Sequence, residues 1–424
     1  MTISPRYFLV FMLAATGVGA PPALAADPDD AALSLGGAPV SPTSAKRDLR
    51  LLGEGAIGIG DRRDGAGNDF LRRMSIDFSY TGAIAPVLRA VLSNRLDAIK
   101  PNEFGADTAT NSLREAYLSW QPGGASTVVD VGRVNLRYGP AYGYNPTDFF
   151  RDGTLRTVTS LDPLTWRENR LGTVAIHGQR LWTNGSLSLA FSPKLENSAS
   201  QNGLSLDLGA TNNRDRGLLV LGGRLTERLS GQLLVYKEGG PQVAFGASAT
   251  ALVSDAVTAY LEGARGHEPD LLNRTIGALE PMETRNRVAA GLTFTTTGKL
   301  SLTGEYQYNG FALAAADFAA LGRTSPGLQT AYVQTALQRQ ELASRHAWLV
   351  YATQKNLGLK NLDLTVLGRF NAGDHSWLGW VELRHHWDQV DLALQLQQQG
   401  GGDETAYGKI THRRSARLVA SYFF

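Results

Sequence analysis

Cysteine is absent from all 424 residues. Its absence excludes a disulfide scaffold, a thiolate zinc or iron–sulfur site, a Cys nucleophile and lipidation at an N-terminal Cys. A surplus of charge is lacking too: 41 Lys and Arg stand against 39 Asp and Glu, a formal net charge of +2. A dedicated nucleic-acid binder would show a strongly basic face, so no nucleic-acid partner is expected. Long hydrophobic runs are the third absence. The run from Phe8 to Gly19 has 12 residues, short of the ~20 that a helix needs to cross a bilayer, and nothing beyond it comes near that length. A helical membrane protein is thereby excluded. A membrane β-barrel, which crosses with strands, is not.

The chain start has the layout of a secretory signal: Arg6, the apolar run, Pro21-Pro22 and the small-residue site Ala23-Leu24-Ala25, with cleavage expected before Ala26. Residues 26–47, with Asp27-Pro28-Asp29-Asp30 and Gly36-Gly37, carry no period and read as a flexible periplasmic leader. The expected organisation is a signal peptide over 1–25, the leader over 26–47 and one barrel over 48–424.

From Leu49 onward, segments of alternating polar and apolar residues follow one another, most of them closed by a turn cluster. In 299–309, Leu300, Leu302, Gly304, Tyr306 and Tyr308 fall on one face, and Ser301, Thr303, Glu305, Gln307 and Asn309 on the other. Segments 286–297 and 390–399 behave alike. A soluble sandwich also alternates, but its strands average ~5–6 residues, whereas tilted membrane strands need ~9–11. Eighteen segments are legible, from 49–60 to 412–424; the third, 83–97, is interrupted by Pro86, and 215–226 and 229–238 alternate poorly, so sixteen is the alternative count. Even-to-odd links such as Thr183-Asn184 are brief, whereas odd-to-even links include 136–170, 195–214, 266–285 and 310–343. The expected fold is therefore all-β: an antiparallel up-and-down transmembrane barrel with short periplasmic turns and long extracellular loops.

The last strand supports this, since Leu418, Ala420, Tyr422 and Phe424 share a face and end on an aromatic residue. That pattern resembles the assembly signal of Gram-negative outer-membrane barrels, which implies the barrel-assembly machinery as a partner. Trp120, Trp182, Trp348, Trp377, Trp387 and Tyr422 would supply interfacial girdles against outer-membrane lipid.

Enzyme and cofactor signals are weak. Gly53-Glu54-Gly55-Ala56-Ile57-Gly58 has the glycine spacing of a dinucleotide loop, but a turn follows where that mechanism requires a helix start. His385 and His386 are adjacent, so on a strand they point apart and chelate poorly. No catalytic set, metal or cofactor is expected.

The segment Val131 to Arg151 is the most informative. Arg133, Arg137, Arg151, Arg156, Arg167 and Arg170 lie in or beside the loop that follows the fifth strand, with Asn145-Pro146-Thr147-Asp148 as a turn or helix start. One reading is an inward-folded constriction loop whose Arg residues attract anions, with Asn145 and Asp148 at the same place. The other is an extracellular loop over the barrel mouth, its Arg residues held by lipopolysaccharide phosphates or nearby carboxylates. Residues 310–343 have helix-like spacing, fitting a helix pair that caps the pore or dips into it. The expected lumen faces hold Arg287, Glu305, Gln307, Glu382, Arg384, Asp391, Gln395, Gln397, Arg413 and Arg417.

The Gly-Arg-x-Asn-x-Arg-Tyr-Gly run at 132–139 resembles the strand-to-loop motif of alginate-export-type and related porin-like barrels of the Gram-negative outer membrane. The resemblance implies eighteen strands and an Arg-lined constriction, with Arg133 and Arg137 as its candidates here. The expected function is passive diffusion of small hydrophilic solutes, anions or sugars. The alternatives are an exporter of an acidic exopolysaccharide working with a periplasmic partner, and a plugged or enzymatic barrel.

Overall fold

The computed structural model describes residues 48–101, 108–122, 126–240 and 242–424; the expected signal peptide and leader lie outside them. Among the described residues eighteen strands pair with their sequence neighbours, and β1 pairs with β18, closing the sheet into a barrel without edges. The first six strands are β1 (Asp48–Arg62), β2 (Asn68–Ala85), β3 (Leu88–Lys100), β4 (Ala109–Trp120), β5 (Thr127–Val134) and β6 (Thr173–Trp182). Then come β7 (Gly185–Ser192), β8 (Arg216–Thr226), β9 (Leu229–Glu238), β10 (Val243–Ser254), β11 (Val257–Pro269) and β12 (Met282–Thr295). The last six are β13 (Leu300–Asn309), β14 (His346–Gln354), β15 (Leu362–Asn371), β16 (Trp377–His386), β17 (Val390–Gly400) and β18 (His412–Phe423). Eighteen, not sixteen, is the count, and each expected segment is a strand. Pro86 interrupts nothing: β2 runs on to Ala85 and β3 starts at Leu88, so the proline sits in the turn, where its missing N–H costs no ladder bond.

Alternation sets the two surfaces. In β13 Thr303, Glu305, Gln307 and Asn309 are buried while Leu300, Leu302 and Gly304 are exposed. The apolar set faces outward, the reverse of a soluble core, because only lipid tolerates a continuous apolar exterior. Trp120, Trp182, Trp387 and Tyr422 are exposed at the short-turn end, and Trp348 and Trp377 at the long-loop end. Two aromatic belts result, at the depth where an amphipathic ring has one apolar and one wet neighbour.

The wall has one irregular place. β5 is only 8 residues long, and its ladder to β4 ends at the pair Ala116↔Arg133. Above that pair the β7–β8 loop takes over: Asn111 N donates to Gly203 O at 2.8 Å, and Leu204 and Leu206 point outward. The loop also carries helix α2 (Leu208–Thr211), capped by Asp207. Its other helical neighbours are α1 (Pro163–Glu168) after β5, α3 (Leu271–Thr275) after β11, and the pair α4 (Ala315–Thr324) and α5 (Pro326–Gln338) after β13. In α1 the Asp162 carboxylate accepts from Leu164 N at 3.0 Å and Pro163 supplies the preset φ, a favourable helix start.

Candidate functional site

Residues 135–172, between β5 and β6, cross the lumen to the opposite wall. The wall supplies two carboxylates, Glu262 on β11 and Glu305 on β13, each almost fully buried. Glu305 accepts from the backbone N–H groups of Tyr142 at 2.6 Å, Gly143 at 3.0 Å and Tyr144 at 3.1 Å, and Tyr260 and Gln307 also donate to it. Glu262 accepts from Ala141 N at 3.2 Å and Thr147 N at 3.5 Å. Gly143 is required at the contact, since a Cβ there would collide with Leu349 and Gln307 of the wall. Tyr142 then packs among Tyr260, Tyr351, Leu367 and Trp380. The loop is thus folded into the lumen.

The Arg residues expected to line a pore are brought together, and their donors are engaged in fastening the loop. Arg170, 1% exposed, donates to Asp148 at 2.7 and 3.2 Å, to Asn135 Oδ1 and to Leu136 O. Arg133 donates to Gly172 O, Leu206 O and Asp207 O, and Arg156 to the carbonyls of Asn111, Asn202 and Ser205. These two guanidinia hold the β7–β8 loop into the wall above β5. Arg167 reaches Tyr138 O at 3.2 Å and Gly139 O at 3.1 Å, and burial lowers its pKa to about 10. Asn145 donates to Ala141 O, and Arg151 to Asn145 O. Arg137 is the exposed member of the set. Their shared chemistry explains the arrangement: a guanidinium has five donors in a fixed fork, enough to satisfy several carbonyls of an irregular buried loop.

Glu341, missed by the sequence reading, is the hub between this loop and the second inward segment, 310–345. It accepts from Tyr144 OH at 2.7 Å, Arg151 at 2.6 Å and Asn309 at 3.0 Å, and lies 3.1 Å from Arg287 of the wall. Burial works to raise its pKa, yet Arg151 and Arg287 together hold it at about 2. Sequence carried no signal for Glu341, because no period orders the stretch between α5 and β14. Asp162 shows the opposite outcome: burial pushes its pKa up to about 6.

The α4–α5 pair packs on α3 and the β17–β18 loop through Phe318, Tyr332, Val333 and Ala336, and so caps the lumen mouth. Between α5, the crossing loop and the walls of β1–β2 and β15–β18 lies a vestibule of about 290 Å³. Arg73, Arg369, Lys409 and Arg417 line it, together with His412, and none of its described lining residues is Asp or Glu. Arg369 stacks over Trp166 with its guanidinium carbon 5.3 Å from the ring centroid. Alternation in β2 and β15 is the signal that places Arg73, two residues from Leu71, and Arg369, two residues from Leu367, on the lumen face.

Most of the residues expected in the lumen lie on the inner face of their strands. Arg287 is tied to Glu268 and Glu341, Glu382 to Arg384 and Gln395, and Arg384 lies 3.6 Å from Asp391. Arg413 is the exception. A bulge at Arg413, where Asp61 pairs with Arg414 and Arg62 with His412, exchanges the faces at the top of β18, so His412 enters the lumen while Arg413 stays 54% exposed on Asp61. His386 lies 2.9 Å from Asp391, while His385 packs at a tilt against Trp387, on opposite faces as adjacent strand residues must be. On β1–β3, Glu54 accepts from both Arg73 (2.6 Å) and Arg95 (2.8 Å), and Arg95 also reaches Asp97. Leu418, Ala420, Tyr422 and Phe424 share the outward face, with Phe424 N bonded to Leu51 O at 3.0 Å.

No family model matches the chain, and no curated protein does. Solved structures do match in fold. Acinetobacter baumannii OccAB1 superposes with a TM-score of 0.56 at 12% identity, covering 89% of this chain and 96% of that one. OccAB3 of the same species gives 0.58 at 8% identity, over 90% and 100% of the two chains. Pseudomonas aeruginosa OccK5 (OpdH) gives 0.54 at 10% identity, over 91% and 99%. The chain thus has the closed 18-strand antiparallel barrel fold seen in the Occ/Opd outer-membrane porins.

Proposed function

We propose that the protein is a porin-like channel of the Gram-negative outer membrane, exported by its N-terminal signal, through which small hydrophilic anions diffuse passively. The observation that carries this reading is the vestibule: Arg369, Lys409 and Arg417 surround it, and its described lining holds no carboxylate. Walls of low dielectric focus such a field and raise the local concentration of anions. Diffusion down a gradient breaks no bond, so the reading needs no catalytic group. The crossing loop folded into the lumen and the helical cap at its mouth favour single small solutes over a polymer, and so favour a diffusion channel over a polysaccharide exporter. Outer-membrane lipid and lipopolysaccharide would surround the two aromatic belts, and the outward face ending at Phe424 would be read by the assembly machinery.

The test is single-channel recording of the refolded mature protein in a planar bilayer under a KCl gradient. Steady conductance with a reversal potential on the chloride side is expected. Sealed barrels, or a preference for potassium, would overturn the reading.

A further inference from the structure

The outer surface of the barrel is apolar over most of its height, and Arg72 breaks that pattern. On β2 its neighbours Leu71 and Arg73 are buried toward the lumen, so the Arg72 side chain points outward, in a row with the exposed Phe70, Met74 and Ile76. Its guanidinium carbon lies 5.5 Å from the Phe70 ring centroid. The side chain thus leans along the wall toward the long-loop end, as a cation does when it reaches out of hydrocarbon. The stretch from Arg72 down to Ala85 exceeds the ~9–11 residues of tilted strand that cross the hydrocarbon, which puts this charge at the outer edge of the membrane. Register brings it company. Arg72 stands opposite Lys100, the exposed last residue of β3, and opposite Ile57 on β1. Near the top of β18 the bulge leaves Arg413 and Arg414 both exposed, with Arg414 opposite Asp61 on β1 and the exposed Gln398 on β17. Asp61 accepts from Arg413 at 3.0 and 3.2 Å. Among the described residues on this upper outward face, Arg72, Lys100, Arg413 and Arg414 therefore stand against one carboxylate, Asp61. Cations against lipid are destabilising unless they lie at the interface and meet anions there.

We propose that the upper outward face of β18, β1, β2 and β3 is a binding site for the phosphorylated disaccharide headgroup of lipopolysaccharide, with Arg72, Lys100 and Arg414 on its phosphates. The strands β18 to β3 cover three interstrand spacings, ~14 Å, the scale of a disaccharide with a phosphate at each end. Arg72 and Lys100 meet one phosphate and Arg414 the other, charge against charge. The Gln398 amide both donates and accepts, as sugar hydroxyls and N-acyl groups require. Directly below the cations, exposed Ile57, Ile76, Leu96 and Leu418 offer the acyl chains an apolar wall. The position at the long-loop end selects the outer leaflet, and the separation of the cations selects a headgroup with two phosphates over a phospholipid with one. Here guanidinium and ammonium groups take the place of the divalent cations that otherwise bridge such phosphates.

The assignment rests on the outer-membrane reading above, and its test has a readout that does not depend on the channel. Affinity of the purified, refolded protein in a neutral detergent is measured by native mass spectrometry, with EDTA present, for diphosphoryl lipid A, monophosphoryl lipid A and phosphatidylglycerol. Diphosphoryl lipid A is expected to bind about tenfold or more tighter than phosphatidylglycerol, with the monophosphoryl form between them. Arg72→Gln/Lys100→Gln/Arg414→Gln should abolish that advantage while leaving single-channel conductance unchanged, because these side chains face away from the lumen. If the triple variant fails to refold, Arg72→Gln alone should weaken lipid A binding about threefold or more. Lys237→Gln/Arg265→Gln, which removes two outward cations on the far side of the barrel, should leave the affinity as it is. Equal binding of lipid A and phosphatidylglycerol, lipid A binding that EDTA abolishes, a substituted protein that binds like the wild type, or an equal loss in the far-side variant would each overturn the site. Sealed barrels that still bind lipid A in this way would remove the channel reading and leave the site standing.

Discussion

Arg170 and Asp148 show how a cluster rich in one residue type can be legible while its employment is not. Both were visible in the sequence as candidate pore residues, yet each is almost fully buried, and each completes the other. Alternation says which face of a strand a side chain takes; it says nothing inside an irregular loop, where the backbone carbonyls that need donors are unknown. Arg413 failed for a related reason, since a single bulge reverses the faces beyond it. Removing one member of a buried pair leaves the other uncompensated, at a cost of ~3–5 kcal/mol. Arg170→Met should therefore lower the thermal unfolding midpoint and add open-channel noise, and the double variant Asp148→Asn/Arg170→Met should recover part of both; an unchanged midpoint in the single variant would remove the pair from the loop's support.

Asp162 gives a pH prediction with a definite sign. Burial raises its pKa from an ordinary 3.8 to about 6, so the folded barrel holds a proton there that the unfolded chain releases. The stability this contributes is complete below about 3.8 and is lost as pH rises through 6. Above 6 the group is also a negative charge in the turn that follows Leu161 on the vestibule wall. Anion preference should fall as pH passes through about 6, and Asp162→Asn should flatten that profile. A wild-type profile already flat over this range would contradict the assignment. Glu341 works the other way: held at about 2, it supports the loop above its ordinary 4.5 and releases it only as pH falls toward 2.

At the scale of elements, the eighteen strands were legible because lipid outside and water inside impose period 2 on every strand. The crossing loop was legible as an inward candidate from its Arg and aromatic content, but its anchorage on Glu262 and Glu305 was not, because backbone N–H groups leave no trace in a sequence. Three of those N–H groups converge on Glu305. Hydrogen bonds to a charged group contribute ~1.5–3 kcal/mol each, so Glu305→Ala should release the loop from the wall. Conductance should rise severalfold with larger fluctuations; conductance equal to the wild type would show that the loop holds without this carboxylate. The β7–β8 loop makes a second element-scale case. It replaces the missing upper half of β5 and is held there by Arg133 and Arg156 rather than by a full ladder. Arg133→Ala/Arg156→Ala should make residues 200–206 the first site of proteolytic nicking in detergent, with the barrel otherwise intact, and resistance equal to the wild type would argue against that fastening.

Over the whole molecule, the barrel is a wall whose polarity is inverted, a crossing loop that narrows it and a helical cap that closes in the vestibule. Cationic groups gather on one side of that chamber, while most other lumen charges are paired with one another. Arg369, Lys409 and Arg417 should set a preference for anions, and the reversal potential measured across a range of salt, for the wild type and for Arg369→Gln/Lys409→Gln/Arg417→Gln, decides whether they do. The Debye length falls from ~30 Å at 0.01 M to ~3 Å at 1 M, so the wild type should prefer chloride strongly in dilute salt and weakly in concentrated salt, and the triple variant should show little preference in either. A wild type indifferent to the sign of the ion in dilute salt, or a triple variant as anion-selective as the wild type, would contradict the account.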